Sequence, residues 1–385
     1  MRSSTLLALL PLAMAAPSGM KTKRDSPAPL LIPRGTSLID GKYIVKFKKD
    51  VVTASINSAI SSIAADADYT YADRFNGFAA SLTEDELTTL RGDPSVEYVE
   101  QDAIVTISAT QSNAPWGLAR ISSQSPGGTT YTYDDTAGEG TCAYIVDTGI
   151  DTTHTDFGGR ATWGKNFVDS SNTDGHGHGS HVAGTVGGTT YGVAKKTNLI
   201  AVKVLDSNGS GTNSGVIAGM EYVATDAASR SCPKGVVANM SLGGSTSTAV
   251  NDAADEIVNA GVFLAVAAGN DAADASTSSP ASAKSACTVG ATGSDDTFAY
   301  FSNFGSLVDV LAPGVDILSV KAGGGSTTMS GTSMASPHVA GIGAYFLGTG
   351  KSASGLCESI ASSAVSGAIS DVPSGTVNKL INNGE

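Results

Sequence analysis

Basic residues are scarce in this 385-residue chain: 23 Lys and Arg stand against 36 Asp and Glu, leaving a net charge of −13. That balance excludes a nucleic-acid binder, because gripping phosphates takes clustered cations. The densest basic cluster, Lys46, Lys48 and Lys49, reads as a solvated strand edge. Long apolar runs are missing too. No segment reaches about 18 uninterrupted apolar residues, so no membrane partner is expected of the mature protein. Tryptophan occurs twice, histidine five times and cysteine four times. Four cysteines leave three pairings open.

Glycine is abundant, at 46 residues. It suits tight turns and the close approach of backbones in an extended cleft. Hydrophobic residues make up 41%, enough for a sizeable core in a chain long enough for more than one domain. Residues 1–16 read as a secretory signal. Arg2 supplies the positive start, Leu6 to Leu12 the apolar stretch, and Ala13-Met14-Ala15-Ala16 the small-residue cleavage region. A secreted, extracellular protein follows, in which the cysteines are expected to form disulfides.

Residues 17–40, rich in Pro, Ser and charge, read as a linker. Residues 41–107 read as a compact α+β unit. Tyr43–Phe47, Phe75–Leu82 and Val96–Ile107 are strand-like, Val52–Ala65 has helical spacing, and Thr83 caps an acidic first turn at Glu84-Asp85-Glu86. From about residue 109 strands alternate with helices. Strands are expected over 142–147, 199–205, 236–241, 262–267 and 287–291. Helices are expected over 178–187, 213–229, 248–260 and 333–348. This predicts an α/β fold, a mostly parallel sheet with helices on both faces. In such sheets the site lies beyond the carboxyl ends of the strands, where Asp147, Ser241 and Asn270 fall.

Three segments carry chemistry. Gly331-Thr332-Ser333-Met334-Ala335-Ser336-Pro337-His338-Val339-Ala340-Gly341 places a serine among small residues at the start of an apolar helix. Its hydroxyl sits at the positive end of the helix dipole, open to a substrate. Ala143-Tyr144-Ile145-Val146-Asp147-Thr148-Gly149 puts a carboxylate at the end of a buried strand. Asp174-Gly175-His176-Gly177-His178-Gly179-Ser180-His181 brings histidines to the start of a second small-residue helix. A serine needs a base to take its proton, and the base needs a carboxylate to fix its tautomer. Clustered histidines also suggest a metal, but the flexible glycine frame of 175–179 argues against a fixed ligand set.

Together the three segments, in the order Asp, His, Ser, resemble the subtilisin-like serine proteases. The wider pattern resembles the proteinase K-like subgroup, from Asn113-Ala114-Pro115-Trp116 nearly to the C-terminus. The resemblance implies a subtilisin-like fold over 109–385, preceded at 41–108 by an inhibitory propeptide domain that is cut off near Ser108–Ala109. The tail Val105–Ser108 would lie in the cleft. Ser333 becomes the nucleophile, His178 the base, Asp147 its orienting acid, and Asn270, in Ala267-Ala268-Gly269-Asn270, an oxyanion donor. His181 and His338 become structural. His176 stands where the subgroup commonly has a polar residue such as Asn, close enough to influence His178.

The same resemblance assigns one cleft edge to Gly209, Ser210 and Gly211 and the other to Ser241, Leu242 and Gly243. Ala267 and Gly269 line a primary pocket suited to apolar or aromatic side chains. Asn213 replaces a tyrosine usual at a distal subsite. Disulfides are implied at Cys142–Cys232 and Cys287–Cys357, with Val182 where the family often has a free thiol. No cofactor is needed for catalysis. A structural calcium is implied at Asp309 with the carbonyls of Lys284 and Ala286, while Ala368 replaces the acid of a second site. The sequons at Asn208 and Asn239 are expected to stay unmodified.

The implied function is a secreted serine endopeptidase of broad specificity, a self-processed zymogen acting as a monomer on polypeptides through an acyl-enzyme. Two competing readings are a catalytically silent binding protein on the same fold and a serine esterase. The complete Asp-His-Ser-Asn set opposes the first. The missing Gly-x-Ser-x-Gly elbow and the chain order oppose the second.

Overall fold

The computed structural model describes residues 26–33, 38–71, 74–103 and 108–385. The expected signal at 1–16 and the tail 105–107 lie outside these residues. The chain divides into two compact units, one ending near residue 104 and the other following it.

The first unit is a five-stranded sheet with two helices. In chain order these are β1 (Leu30–Leu31), β2 (Leu38–Phe47), α1 (Thr53–Ile60), β3 (Tyr69–Tyr71), β4 (Gly77–Ser81), α2 (Glu84–Gly92) and β5 (Val96–Ala103). The sheet order is β1-β5-β2-β4-β3. Ile56 of α1 and Leu87 and Leu90 of α2 pack with Val45, Phe47, Phe78 and Val99. Thr83 caps α2 as expected. Its hydroxyl accepts from the Glu86 amide while the Glu86 carboxylate accepts from the Thr83 amide, which satisfies two otherwise orphaned donors.

Two expectations need correction here. The linker expected over 17–40 contributes strand β1, the buried Ala28 and the first residues of β2. Composition hid a strand too short to show a period. Lys46 is not at a sheet edge, because β2 lies between β5 and β4, while Lys48 and Lys49 follow the end of β2. Lys46 instead donates to Glu97 at 3.3 Å and lies over the Phe75 ring, its stem covering apolar surface.

The second unit opens with a hairpin, β6 (Ser108–Ser112) and β7 (Thr130–Asp134), flanking α3 (Trp116–Ile121). A nine-stranded sheet follows. Its main strands are β8 (Thr141–Asp147), β9 (Ala161–Asn166), β10 (Asn198–Lys203), β11 (Gly235–Met240), β13 (Phe263–Ala267), β15 (Cys287–Thr292) and β16 (Val310–Pro313). Two-residue strands β12 (Gly244–Ser245) and β14 (Ser278–Ser279) pair beside it, and β17 (Ile317–Val320) and β18 (Ser326–Met329) form a hairpin. The order β19-β20-β16-β15-β13-β11-β8-β10-β9 ends in β19 (Val365–Ser366) and β20 (Lys379–Leu380). Every pairing in it is parallel except β19 with β20.

Helices α4 (His178–Gly187), α5 (Asn213–Ala227), α6 (Thr248–Asn259), α7 (Thr332–Gly348) and α8 (Leu356–Ser363) complete the unit. Strand β8 shows why the sheet is covered on both sides. Ala143 and Ile145 pack into the cluster that contains Val182, Val186 and Val339 of α4 and α7. Cys142, Tyr144 and Val146 pack with Val216, Met220, Val250 and Ile257 of α5 and α6. Side chains alternate faces, yet all are apolar and buried, as a parallel sheet between two helical layers requires. Strands β9 and β16 escaped sequence reading: β9 is an edge strand with a mixed pattern, and β16 has four residues. Disulfides join Cys142 to Cys232 and Cys287 to Cys357, with Cα separations of 5.7 and 5.6 Å, and no free thiol remains.

Ile145 is fully buried at the middle of this sheet. Ile145→Ala is expected to destabilise the protein by about 3 kcal/mol, read from the urea midpoint of protein blocked with a serine-directed inhibitor. A loss under about 0.5 kcal/mol, the level of an ordinary surface change, would contradict this packing.

Candidate active site

Strand β8 delivers Asp147, wholly buried, to its carboxyl end. One carboxylate oxygen accepts from the Thr148 amide at 2.7 Å and meets His178 Nδ1 at 2.8 Å. That contact makes Nδ1 the protonated nitrogen and leaves Nε2 as a proton acceptor. Glycines permit the approach. Gly177 precedes α4 with φ 93°, and a Cβ on Gly179 would stand 2.1 Å from the Gly149 carbonyl. Burial opposes a charge on the His178 ring. The Asp147 carboxylate, through its charge and its hydrogen bond, outweighs that with help from Asp174, so the His178 pKa is raised.

Asp174 acts as a hub. One of its oxygens accepts from Thr148 Oγ1 and the Gly177 amide, the other from the Ser180 amide and hydroxyl. Thr148 Oγ1 in turn accepts from the Gly179 amide. The buried Lys203 donates to the carbonyls of Thr148 and Leu205. The loops after β8 and β10 and the start of α4 are thereby locked together. His181 and His338 are buried. Burial pushes both down to about 4. His181 Nε2 bonds the Ile317 carbonyl, and His338 Nδ1 the Met334 carbonyl. Among the described residues no histidine joins a metal-ligand cluster.

Ser333 is the second residue of α7, after Gly331. Its hydroxyl donates to the Ser241 carbonyl at 3.2 Å, and its own carbonyl accepts from Ser241 Oγ at 2.7 Å. The hydroxyl's hydrogen bond is therefore to Ser241 and not to His178. Apo sites commonly hold such groups apart until substrate arrives. Asn239 braces this joint, donating to Ser241 Oγ and accepting from Ser336 Oγ. Buried in that role, Asn239 has no room for a glycan. Asn208, the other sequon, is exposed beside the cleft.

Asn270 is oriented by Thr332. Its side-chain oxygen accepts from the Thr332 amide at 2.8 Å and hydroxyl at 2.9 Å. The Nδ2 group is left as the uncommitted end, in the cavity that Ser333 also borders. Buried Asn303 shapes this loop, accepting from the amides of Asp271 and Ala273 and donating to the Ala268 carbonyl. Gly269 has φ 108°, and a Cβ there would clash with Asn303 at 2.3 Å.

Two cavities meet along Leu242–Gly244. One holds Ser333, Asn270, Ala267 and Gly269. The other holds His178, His176, Ser241 and the segment Gly209, Ser210, Gly211. That segment is an ordered turn, since the Asp206 carboxylate accepts from the amides of Asn208 and Ser210. Asn213 borders it. Sequence reading missed Thr148, Asp174, Asn239, Asn303 and Thr332 as supports. Thr148, Asp174 and Thr332 lay inside the quoted motifs, but hydrogen bonds between distant segments have no linear signature.

Elsewhere Lys284, Ala286 and Asp309 border one cavity. Burial pushes Asp309 up to about 6, with Glu358 adding to the rise, while the Thr288 amide opposes it. No ion pair joins Lys284 to Asp309 among the described residues. A half-buried carboxylate pushed up beside a second acid, in a cavity that Lys284 and Ala286 also line, is the kind of oxygen donor a hard cation suits.

A histidine clamped on a buried carboxylate, a serine opening a helix and a backbone-lined cleft define the class: a serine hydrolase built on a parallel α/β sheet. Comparison with known proteins narrows this. The subtilase family profile matches residues 138–356 and the peptidase inhibitor I9 profile matches residues 42–108. The chain belongs to the subtilase family and is a serine endopeptidase with an I9 inhibitor domain. It is 70% identical over 290 residues to Proteinase T of Parengyodontium album, covering 75% of this chain and 99% of that one. It is 53% identical over 388 residues to the cuticle-degrading protease of Metarhizium anisopliae, covering 100% of both. The crystal structure of a cold-adapted subtilisin-like serine proteinase matches with 45% identity and a TM-score of 0.66, over 71% of this chain and 99% of that one.

Followed by NMR of its ring, His178 is expected to titrate above the ordinary 6.5. Asp174→Asn removes one of the charges that raise it and should move the midpoint down. An unchanged midpoint in the variant would show that Asp174 does not act on the ring.

Proposed function

We propose that Ser333, His178 and Asp147 hydrolyse peptide bonds through an acyl-enzyme. The Ser333 oxygen attacks the peptide carbonyl as its proton passes to His178 Nε2. Asp147 holds the ring and stabilises its cation. The oxyanion is met by the Ser333 amide and Asn270 Nδ2. His178 then gives the proton to the departing amine. Water, deprotonated by the same ring, attacks the ester and frees Ser333. The observation that carries this reading is the His178–Asp147 clamp at 2.8 Å, in a cleft that Ser333 also borders.

A substrate lies extended between Gly209–Gly211 and Ser241–Gly243, held by its backbone. Ala267 and Gly269 give the primary pocket small walls, which favour an apolar or aromatic side chain. Residues 1–16 direct secretion, 17–40 lead into an inhibitory propeptide at 41–108, and the chain cuts itself near Ser108–Ala109 to free a monomeric extracellular enzyme of residues 109–385. The residues expected to lie in the cleft, 105–107, are outside the described ones. No helix among the described residues is long and apolar enough to cross a membrane. Asp309, with the carbonyls of Lys284 and Ala286, would hold a calcium ion that serves stability rather than chemistry.

A fluorophosphonate should label Ser333 in the secreted protein, which should also release peptides from casein. Ser333→Ala should lose both and accumulate as the uncut chain. Asn270→Ala should keep KM and lower kcat by about a hundred- to a thousandfold. Labelling without casein cleavage, or self-cleavage by the Ser333 variant, would overturn the assignment. Chelation should lower thermal stability by about 2–3 kcal/mol relative to protein with calcium at about a hundred times its dissociation constant. Asp309→Asn should abolish that difference, and an Asp309 variant as calcium-responsive as the parent would remove the site.

A further inference from the structure

We infer that His176 selects substrates carrying an acidic side chain immediately before the residue whose bond is cut, an inference that rests on the peptidase reading above. Adjacent side chains of an extended peptide point to opposite faces. With the cleaved residue's side chain in the Ala267–Gly269 pocket, the preceding side chain faces the other wall, where His178 stands. His176 is exposed on that wall, its ring 6.1 Å from the His178 ring and nearly edge-on to it.

Its position is set from two sides. The His176 amide donates to Asp174 at 3.2 Å. The ring packs against Gly209 of the cleft edge, where a Cβ would stand 3.2 Å from His176 Nε2. The cavity that His176 and His178 share contains no Lys, Arg, Asp or Glu among its lining residues. His178 already spends its Nδ1 on Asp147. His176 is therefore the one ionisable side chain of this wall not held in the hydrolytic pair, and its ring offers an N–H donor in either protonation state. On its far side the ring borders a second cavity with Asp151 and Lys321. Asp151 accepts there from the Gly323 amide and the Thr153 hydroxyl, and Asp174, which borders the same cavity, accepts from Thr148, Gly177 and Ser180, so both acids on that side already have partners. The chain's net charge of −13 works against acidic peptides in general, which leaves a local donor as the source of any preference for them.

The test compares kcat/KM for three peptides that differ only at that place, carrying Glu, Gln or Lys, using enzyme matured from the full chain. A charge-assisted hydrogen bond predicts Glu over Lys by about tenfold, expressed mainly in KM. His176→Asn should bring that ratio to near one, and His176→Arg should enlarge it. A parent enzyme indifferent to the three side chains, or a ratio unmoved in both variants, overturns the inference. Failure to cut any of the peptides, with no fluorophosphonate labelling, would instead count against the peptidase reading itself.

Discussion

The bond between His178 Nδ1 and a wholly buried Asp147 carboxylate is the contact on which the site turns. A carboxylate inside protein is costly unless it is hydrogen-bonded. One oxygen of Asp147 accepts from the Thr148 amide and the imidazole while the other is buried without a partner, so the carboxylate depends on the ring, which is drawn into one tautomer and one orientation. The approach depends on bare backbone, because a side chain at 179 would run into the Gly149 carbonyl. Asp174 and Thr148 then fix the loop and the helix start around the pair.

A second joint serves the serine. Helix α7 is buried along nearly its whole length against the sheet, so its N-terminus cannot drift. Ser241, braced by Asn239, binds both the carbonyl and the hydroxyl of Ser333. Thr332, the residue before, turns the Asn270 amide. One helix start thus positions a hydroxyl, a backbone donor and a side-chain donor together. Groups placed by rigid elements need little reorganisation as charge develops, which is where most catalytic stabilisation comes from.

Much of the fold was legible. Five of the seven main strands and four large helices were read from apolar runs and small-residue segments, because parallel strands buried on both faces are continuous in Val, Ile, Leu and Ala. Thr83 announced its helix through a capping box, a local signal. Strand β1, edge strand β9 and the four-residue β16 were not legible. Their pairing partners, and not their own composition, make them strands. Lys46 was misjudged for the same reason, since whether a strand is central or at an edge depends on neighbours far along the chain.

By itself the sequence determined which residue types stand at the carboxyl ends of strands and the starts of helices: Asp147, His178, Asn270 and Ser333 are each placed there by local pattern. It also determined that the chain is acidic and glycine-rich. Only the tertiary structure decided what those groups touch. Asp147 and His178 are separated by 31 positions, and Ser241 and Ser333 by 92, and such pairs meet through the register of the sheet and the packing of α4 and α7 on it. The same holds for His176, which the sequence placed only near His178 along the chain and which the fold sets between Gly209 and His178 at the wall of the cleft. Hydrogen bonds and cavities are properties of distances in space, and periodicity along a chain carries no information about them.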